Sequence, residues 1–443
     1  MRFSDKPTSG PIPFSRPLTN LTMATPISAP PLARPETTTE GEQAPRYTSA
    51  LASLTVLFFM MGFITCLNDI LIPYLKAIFS LSYTQANFIN LCFFGAYFVM
   101  GIPAGKLVKR IGYKGGMLVG FLIAALGAFL FYPAADSRSY PLFLGALFVL
   151  ATGVVLLQVA GNPYVSILGP ARSAPARLTL TQAFNSLGTT VAPLLGAALI
   201  LSNLPDLESA STAAIDVRAV QVPYLCIGAV LIVISVLLGM LRLPIITLPQ
   251  TEHAPGRRAW HYRHLVFGVI GIFAYVGGEV AIGSHIVSYL GHPDIMGLSP
   301  KLAGDKVAYY WGGAMIGRFL GAYLLNKFNP GRLLAFNSVG AVALVLLSVS
   351  TRGEVAMWSL LAVGLMNSIM FATIFTLAVA GLGQHTEEAS GLLNVGIVGG
   401  AVIPLLFGLV ADASSLRWAF VLPILCYLYI LWYGLRGHRP EQA

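Results

Sequence analysis

A chain of 443 residues that is 56% hydrophobic and only 10% charged, with a mean hydropathy of +0.74, carries more apolar surface than a soluble domain of its size can hide. Its repeated apolar runs of about 20 residues exclude a water-soluble enzyme and indicate helices that cross a lipid bilayer. The net charge of +9 lies mostly in Lys and Arg between the runs, which marks membrane topology rather than nucleic-acid binding.

Residues 1–46 are rich in Pro, Ser and Thr and contain no hydrophobic core of a signal peptide, so they are expected to form a disordered, basic cytoplasmic tail. Twelve apolar segments follow: 48–76, 84–108, 115–133, 141–167, 178–203, 221–243, 263–290, 304–328, 332–350, 354–383, 387–411 and 416–437. They are too long, and alternate too little, for strands. The basic, Pro-containing stretch 244–262 divides them six and six, which predicts an N-terminal half 47–243, a cytoplasmic linker 244–262, a C-terminal half 263–437 and a short tail 438–443. Lys and Arg are concentrated in the loops that share a side with both termini, so both termini are expected in the cytoplasm. Cys66, Cys92, Cys226 and Cys426 lie in or beside apolar runs without metal-ligand spacing, as free thiols would.

In the first segment, Asn68 and Asp69 interrupt the apolar run. An ionised carboxylate in hydrocarbon costs several kcal/mol, so such an Asp faces a partner or a wet cavity and is read as a proton or ligand site. The loop after the second segment holds Lys109 and Arg110, a candidate gating pair. In the fourth segment Gln158 and Asn162 are four apart and share a helical face, and Pro163 frees a backbone carbonyl nearby. Gln182, Asn185 and Ser186 share a face of the fifth. Amides offer donors and acceptors without charge, which suits sugar hydroxyls; the competing reading is interhelical hydrogen bonding.

The seventh segment places Tyr275 four residues before Glu279, the second deep carboxylate. Glu279 reads as a salt-bridge partner, as an acceptor for substrate hydroxyls or as a second titrating site. His285 lacks any companion metal ligand and is expected to hydrogen-bond within its helix. Tyr309, Tyr310 and Trp311 in the eighth segment read as a membrane-interface belt, whereas Arg318 lies too deep for a loop charge and needs a carboxylate or helix-end carbonyls. Asn367 and Asn394 are further substrate candidates; Glu387 and Glu388 read as a solvated pair at a helix N-terminus, and the Gly-rich stretch 396–408 as helix-packing sequence. No phosphate loop, HExxH or dinucleotide fingerprint is present in the sequence, and no cofactor or metal is expected.

The loop GKLVKRIGYKGG (105–116) resembles the cytoplasmic signature of the major facilitator superfamily, with Lys109 where an Asp is usual and Tyr113 where a basic residue is usual. AYLLNKFNPGR (322–332) is its degenerate echo in the second half. With NDILIP (68–73), QVAGNPYVSILGP (158–170), LTQAFNSLG (180–188) and AYVGGEVAIG (274–283), the chain from about residue 50 onward resembles the fucose–galactose–glucose:proton symporter family. The resemblance implies an all-α membrane protein of twelve transmembrane helices in the major facilitator fold, two six-helix halves around a central site. It further implies a multi-pass protein of a bacterial inner membrane, expected to be monomeric, that takes up a hexose with protons. By the same resemblance Asp69 matches the essential carboxylate of the first helix, and Gln182 and Asn185 match polar residues of the sugar cavity. The fucose branch has a glutamate where this chain has Gln158, so Gln158 with Glu279 looks like the glucose/galactose branch. The resulting expectation is a proton-driven glucose/galactose importer working by alternating access. A deoxy-sugar carrier, a drug or metabolite exporter and, least of all, a membrane enzyme stand as alternatives.

Overall fold

The computed structural model describes residues 50–64, 83–199, 218–241, 243–244 and 258–439, all within one compact unit, Tyr47–Ala443. The expected tail 1–46, most of the linker, residues 440–443, Cys66 and the pair Asn68 and Asp69 lie outside the described residues.

Every expected segment has a helical counterpart. The first half comprises α1 (Ala50–Ile64), α2 (Tyr83–Asp136), α3 (Tyr140–Ile167), α4 (Ala174–Leu199) and α5 (Arg218–Met240). The second half comprises α6 (Arg263–Gly291), α7 (Pro300–Lys327), α8 (Pro330–Ser350), α9 (Gly353–Asn367), α10 (Met370–Val379), α11 (Thr386–Gly396), α12 (Gly399–Ala413), α13 (Leu416–Ala419) and α14 (Val421–Trp432). Among the described residues no strand occurs, and eight helical spans are long and apolar enough to cross a bilayer. A helix satisfies its backbone polar groups internally, which hydrocarbon demands. The outward faces confirm that environment: on α5, Val233, Val236 and Leu237 are exposed and Met240 keeps 76% of its surface. Such a face would drive aggregation in water and is at home in lipid.

The expected second and third segments form one element, α2, broken at Gly112, whose φ of 74° and ψ of 169° leave the helical region. A side chain at that φ is strained, so the glycine of the basic loop sets the turn. Lys114, two residues on, donates from Nζ to the carbonyls of Gly239 (2.7 Å) and Leu241 (2.8 Å), capping the end of α5. Conversely, the expected tenth and eleventh segments are each interrupted. The tenth divides into α9 and α10 at Ser368–Ile369, and the eleventh into α11 and α12 at Ile397–Val398.

The halves meet through α2 against α11 and α12, α3 against α11, and α4 against α7 and α10. Where α2 crosses α11 the backbones touch. A Cβ on Gly105 would lie 2.9 Å from the Glu387 carbonyl oxygen, and one on Gly391 would lie 2.6 Å from that of Gly101. Glycine is required here because no side chain fits between the helices. Just beyond, Lys109 Nζ donates to Glu388 Oε1 at 2.7 Å, and His385 Nδ1 stands 3.8 Å from Glu388 Oε2. Glu388 is therefore an ion-pair partner across the halves rather than a purely solvated helix-end charge. Arg110 is exposed on the last turn before Gly112.

Candidate functional site

A cavity of about 150 Å³ lies between the halves, far larger than one water requires. The first half contributes Phe58 and Met61 from α1, Gln158 from α3, and Gln182 and Asn185 from α4. The second half contributes Tyr275, Val276 and Glu279 from α6, Arg318 from α7, Phe371 and Ala372 from α10, and the helix breaks themselves through Ser368 and Ile397. At these breaks the backbone tightens to bonds three residues back, Ser368 N–H to the Leu365 carbonyl and Ile397 N–H to the Asn394 carbonyl.

The amide wall is anchored from behind. Gln158 Nε2 donates to Tyr97 Oη at 3.0 Å, Asn185 Nδ2 donates to the Phe58 carbonyl at 2.9 Å, and Gln182 Nε2 donates to Asn162 Oδ1 at 3.4 Å. Each lining amide thus keeps hydrogen-bonding capacity toward the cavity while one end is held. Asn162 is wholly buried and does not line the cavity; its place is behind Gln182. Gln158 and Asn162 share a helical face, yet only the first reaches the cavity.

The opposite wall is charged. Tyr275 Oη donates to Glu279 Oε1 at 2.8 Å, the spacing of four residues acting as the sequence suggests. Arg318 Nη2 stands 3.8 Å from the same oxygen, and Arg318 Nη1 donates to Ser186 Oγ on α4. The deep arginine therefore finds the carboxylate that its position required and also reaches the other half. Ser186 in turn donates to the Gln182 carbonyl at 3.1 Å. Both ions keep little exposure, 15% for the Arg318 side chain and 10% for that of Glu279, so their attraction is only weakly screened.

A second layer supports Glu279. Asn367 Nδ2 donates to Tyr310 Oη at 2.8 Å, and Tyr310 Oη donates to the Glu279 backbone carbonyl at 3.0 Å. Tyr310 departs from the interface-belt expectation: it is fully buried, whereas its neighbours Tyr309 and Trp311 are exposed. Asn367 and Asn394 are buried outside the cavity lining, and Asn394 Nδ2 donates to the Ser390 carbonyl at 2.9 Å. His285 Nδ1 bonds the Ala281 carbonyl at 2.8 Å within α6, and no metal-ligand cluster exists among the described residues. Phe58, Met61, Phe371 and Ile397 were not singled out by sequence reasoning, because an apolar residue on an apolar helix carries no signal of a cavity. Ser186 could have been paired with Arg318, since a buried cation seeks oxygen acceptors.

Set beside known proteins, the chain matches the Major Facilitator Superfamily family profile over residues 52–397. The chain belongs to the major facilitator superfamily. A glucose/galactose transporter of Brucella abortus (strain 9-941) is 54% identical over 403 residues, covering 90% of this chain and 97% of that protein. The L-fucose-proton symporter of Escherichia coli K12 is 35% identical over 409 residues, covering 88% and 93%. A crystal structure of a major facilitator superfamily transporter, FucP, in the outward conformation superposes with a TM-score of 0.81 at 34% identity, covering 90% of this chain and 100% of that one. This member of the superfamily is accordingly a multi-pass transporter and not an enzyme.

Proposed function

We propose that the protein imports glucose and galactose with protons by alternating access across a bacterial inner membrane, with both termini in the cytoplasm. The observation that carries this reading is the cavity wall. Three anchored amides face a carboxylate, a guanidinium and a phenol across a space of about 150 Å³. Each sugar hydroxyl is both donor and acceptor, and such a wall meets hydroxyls from both sides while the ring packs on Phe58 and Phe371. The name borne by the Brucella relative, a glucose/galactose transporter, supports the same substrate class.

Gln158, Gln182 and Asn185 contact the sugar in this reading, and Asn162 holds Gln182. Asn367 acts through Tyr310 on α6, and Asn394 acts within α11. Glu279, with Tyr275 and Arg318, accepts a hydroxyl; Asp69 is the leading proton carrier with Glu279 in reserve, and Asn68 is kept as a substrate candidate. Gln158 cannot titrate, so the proton must travel on one of those carboxylates. The Lys109–Glu388 pair and the glycine contact close the cytoplasmic side, in keeping with likeness to an outward-conformation structure.

Purified protein in liposomes, given labelled glucose, galactose and fucose with an imposed pH gradient, tests the reading directly. Accumulation of glucose and galactose driven by the gradient is expected. Accumulation driven by sodium alone would remove proton coupling, and failure to move any of the three sugars would remove the substrate class.

A further inference from the structure

Pro163 lies inside α3 and has no N–H, so the carbonyl four residues earlier, that of Val159, has no helical donor. Val159 is fully buried on the face of α3 that meets α11. A buried carbonyl needs a donor from elsewhere. It receives one from the other half: Ser390 Oγ on α11 donates to the Val159 carbonyl at 2.9 Å. Several buried hydroxyls turn back to their own helix, as Ser166 does to Asn162, Ser338 to Leu334 and Thr376 to Ala372, and others reach a neighbouring helix of the same half, as Ser348 Oγ does to the Ala356 carbonyl. Ser390 instead crosses between halves, and it too is fully buried.

We infer that Ser390 and Pro163 form a latch for the inside-closed state: the proline exposes one carbonyl of the first half, and the serine of the second half engages it only when the halves close at the cytoplasmic side. Ser390 is a positioning residue in the transport cycle and touches no substrate. The inference rests on the alternating-access reading above, but not on the identity of the sugar. When the halves separate, the carbonyl passes to cavity water and the hydroxyl can turn back to its own helix. The latch therefore weights one state of the cycle without holding the fold together.

The test reads the closed state without any sugar. A single cysteine at Ala104, buried beside the Gly105–Gly391 contact, is placed in an otherwise cysteine-free protein, and its alkylation rate is followed in membranes. S390A and S390V should raise that rate about fivefold, the worth of one ordinary hydrogen bond. S390T, which restores the hydroxyl on the shape of valine, should stay within about twofold of the parent. In a P163A background the helix regains its own donor for Val159, so adding S390A should change the rate by less than about twofold. Equal rates for S390T and S390V, no rise in S390A, or the same rise in the P163A background would overturn the latch. Should P163A fail to fold, the threonine–valine pair decides alone. A protein that carried no glucose could still pass this test, so its failure is separable from failure of the substrate reading.

Discussion

Arg318 touches both halves at once, donating to Ser186 on α4 and standing 3.8 Å from the Glu279 carboxylate on α6. Removing one partner of a desolvated ion pair leaves the other charge uncompensated, which is worse than removing both. Arg318→Met and Glu279→Gln should each lower the melting temperature in detergent. The double variant should be more stable than the sum of the two losses predicts, by about 1 kcal/mol, as expected for residues in contact. Additive losses, measured by thermal unfolding of all four proteins, would mean that the two side chains act independently.

The amides separate into those that line the cavity and one that stands behind it. Gln182→Ala and Asn185→Ala should each weaken sugar binding about fivefold, the loss of one hydrogen bond to a hydroxyl. Asn162→Ala should weaken it too, by freeing Gln182, but should add almost nothing in the Gln182→Ala protein. Equilibrium binding across this four-protein cycle checks it, and independent effects at the two positions would place Asn162 on the sugar itself.

Glu279 Oε1 takes both Tyr275 and Arg318, which leaves the second carboxylate oxygen as an acceptor. A hexose with a hydroxyl at C6 can use it and a 6-deoxy sugar cannot, and a buried unmatched acceptor discriminates strongly. Glucose and galactose should therefore compete better than fucose in binding assays, and Glu279→Gln should narrow the gap. Fucose emerging as the strongest competitor would reverse the assignment.

Energy coupling requires a carboxylate whose protonation alternates. Asp69→Asn mimics the protonated acid in size while fixing the charge at zero. It should abolish gradient-driven accumulation yet preserve some sugar exchange between preloaded vesicles and medium. Glu279→Gln should weaken binding while the remaining uptake stays proton-coupled. The opposite pattern would move the proton to α6.

Lys109 and Glu388 are half-exposed, at 45% and 30%, so their bond contributes at most about 1 kcal/mol and is screened by salt. Lys109→Glu sets like charges against each other and should raise cytoplasmic-side thiol labelling by up to about fivefold. Adding Glu388→Lys should restore the parent rate. Labelling that ignores the charge exchange would show that the glycine contact alone closes this side.

The twelve membrane segments were legible because hydrocarbon forces each crossing to be a long apolar helix, a pattern that no packing detail can erase. Breaks at Ser368 and Ile397 were not legible, since the backbone there stays right-handed and only tightens to bonds three residues back, such as Ile397 N–H to the Asn394 carbonyl, a change that no residue type marks. Tyr275 with Glu279 was legible from spacing alone. Asn162 was not, because helical periodicity fixes which residues share a face but not whether a neighbouring side chain stands in front. Lys109, unusual in its sequence context, became intelligible only with Glu388, more than two hundred residues away in sequence, set opposite it.

Gly112 and Lys114 give the first half a mechanical character. The turn at Gly112 carries Lys114 directly onto the last carbonyls of α5, so the middle of α2 is tied to the helix from which the chain leaves for the second half. A push delivered to α2 where it meets α11, at Gly101 and Gly105, should therefore be felt at the end of α5 through these two hydrogen bonds. A rearrangement at the contact with α11 should thus reach the point where the chain departs for the second half, a route that runs through Lys114 rather than along the whole backbone between.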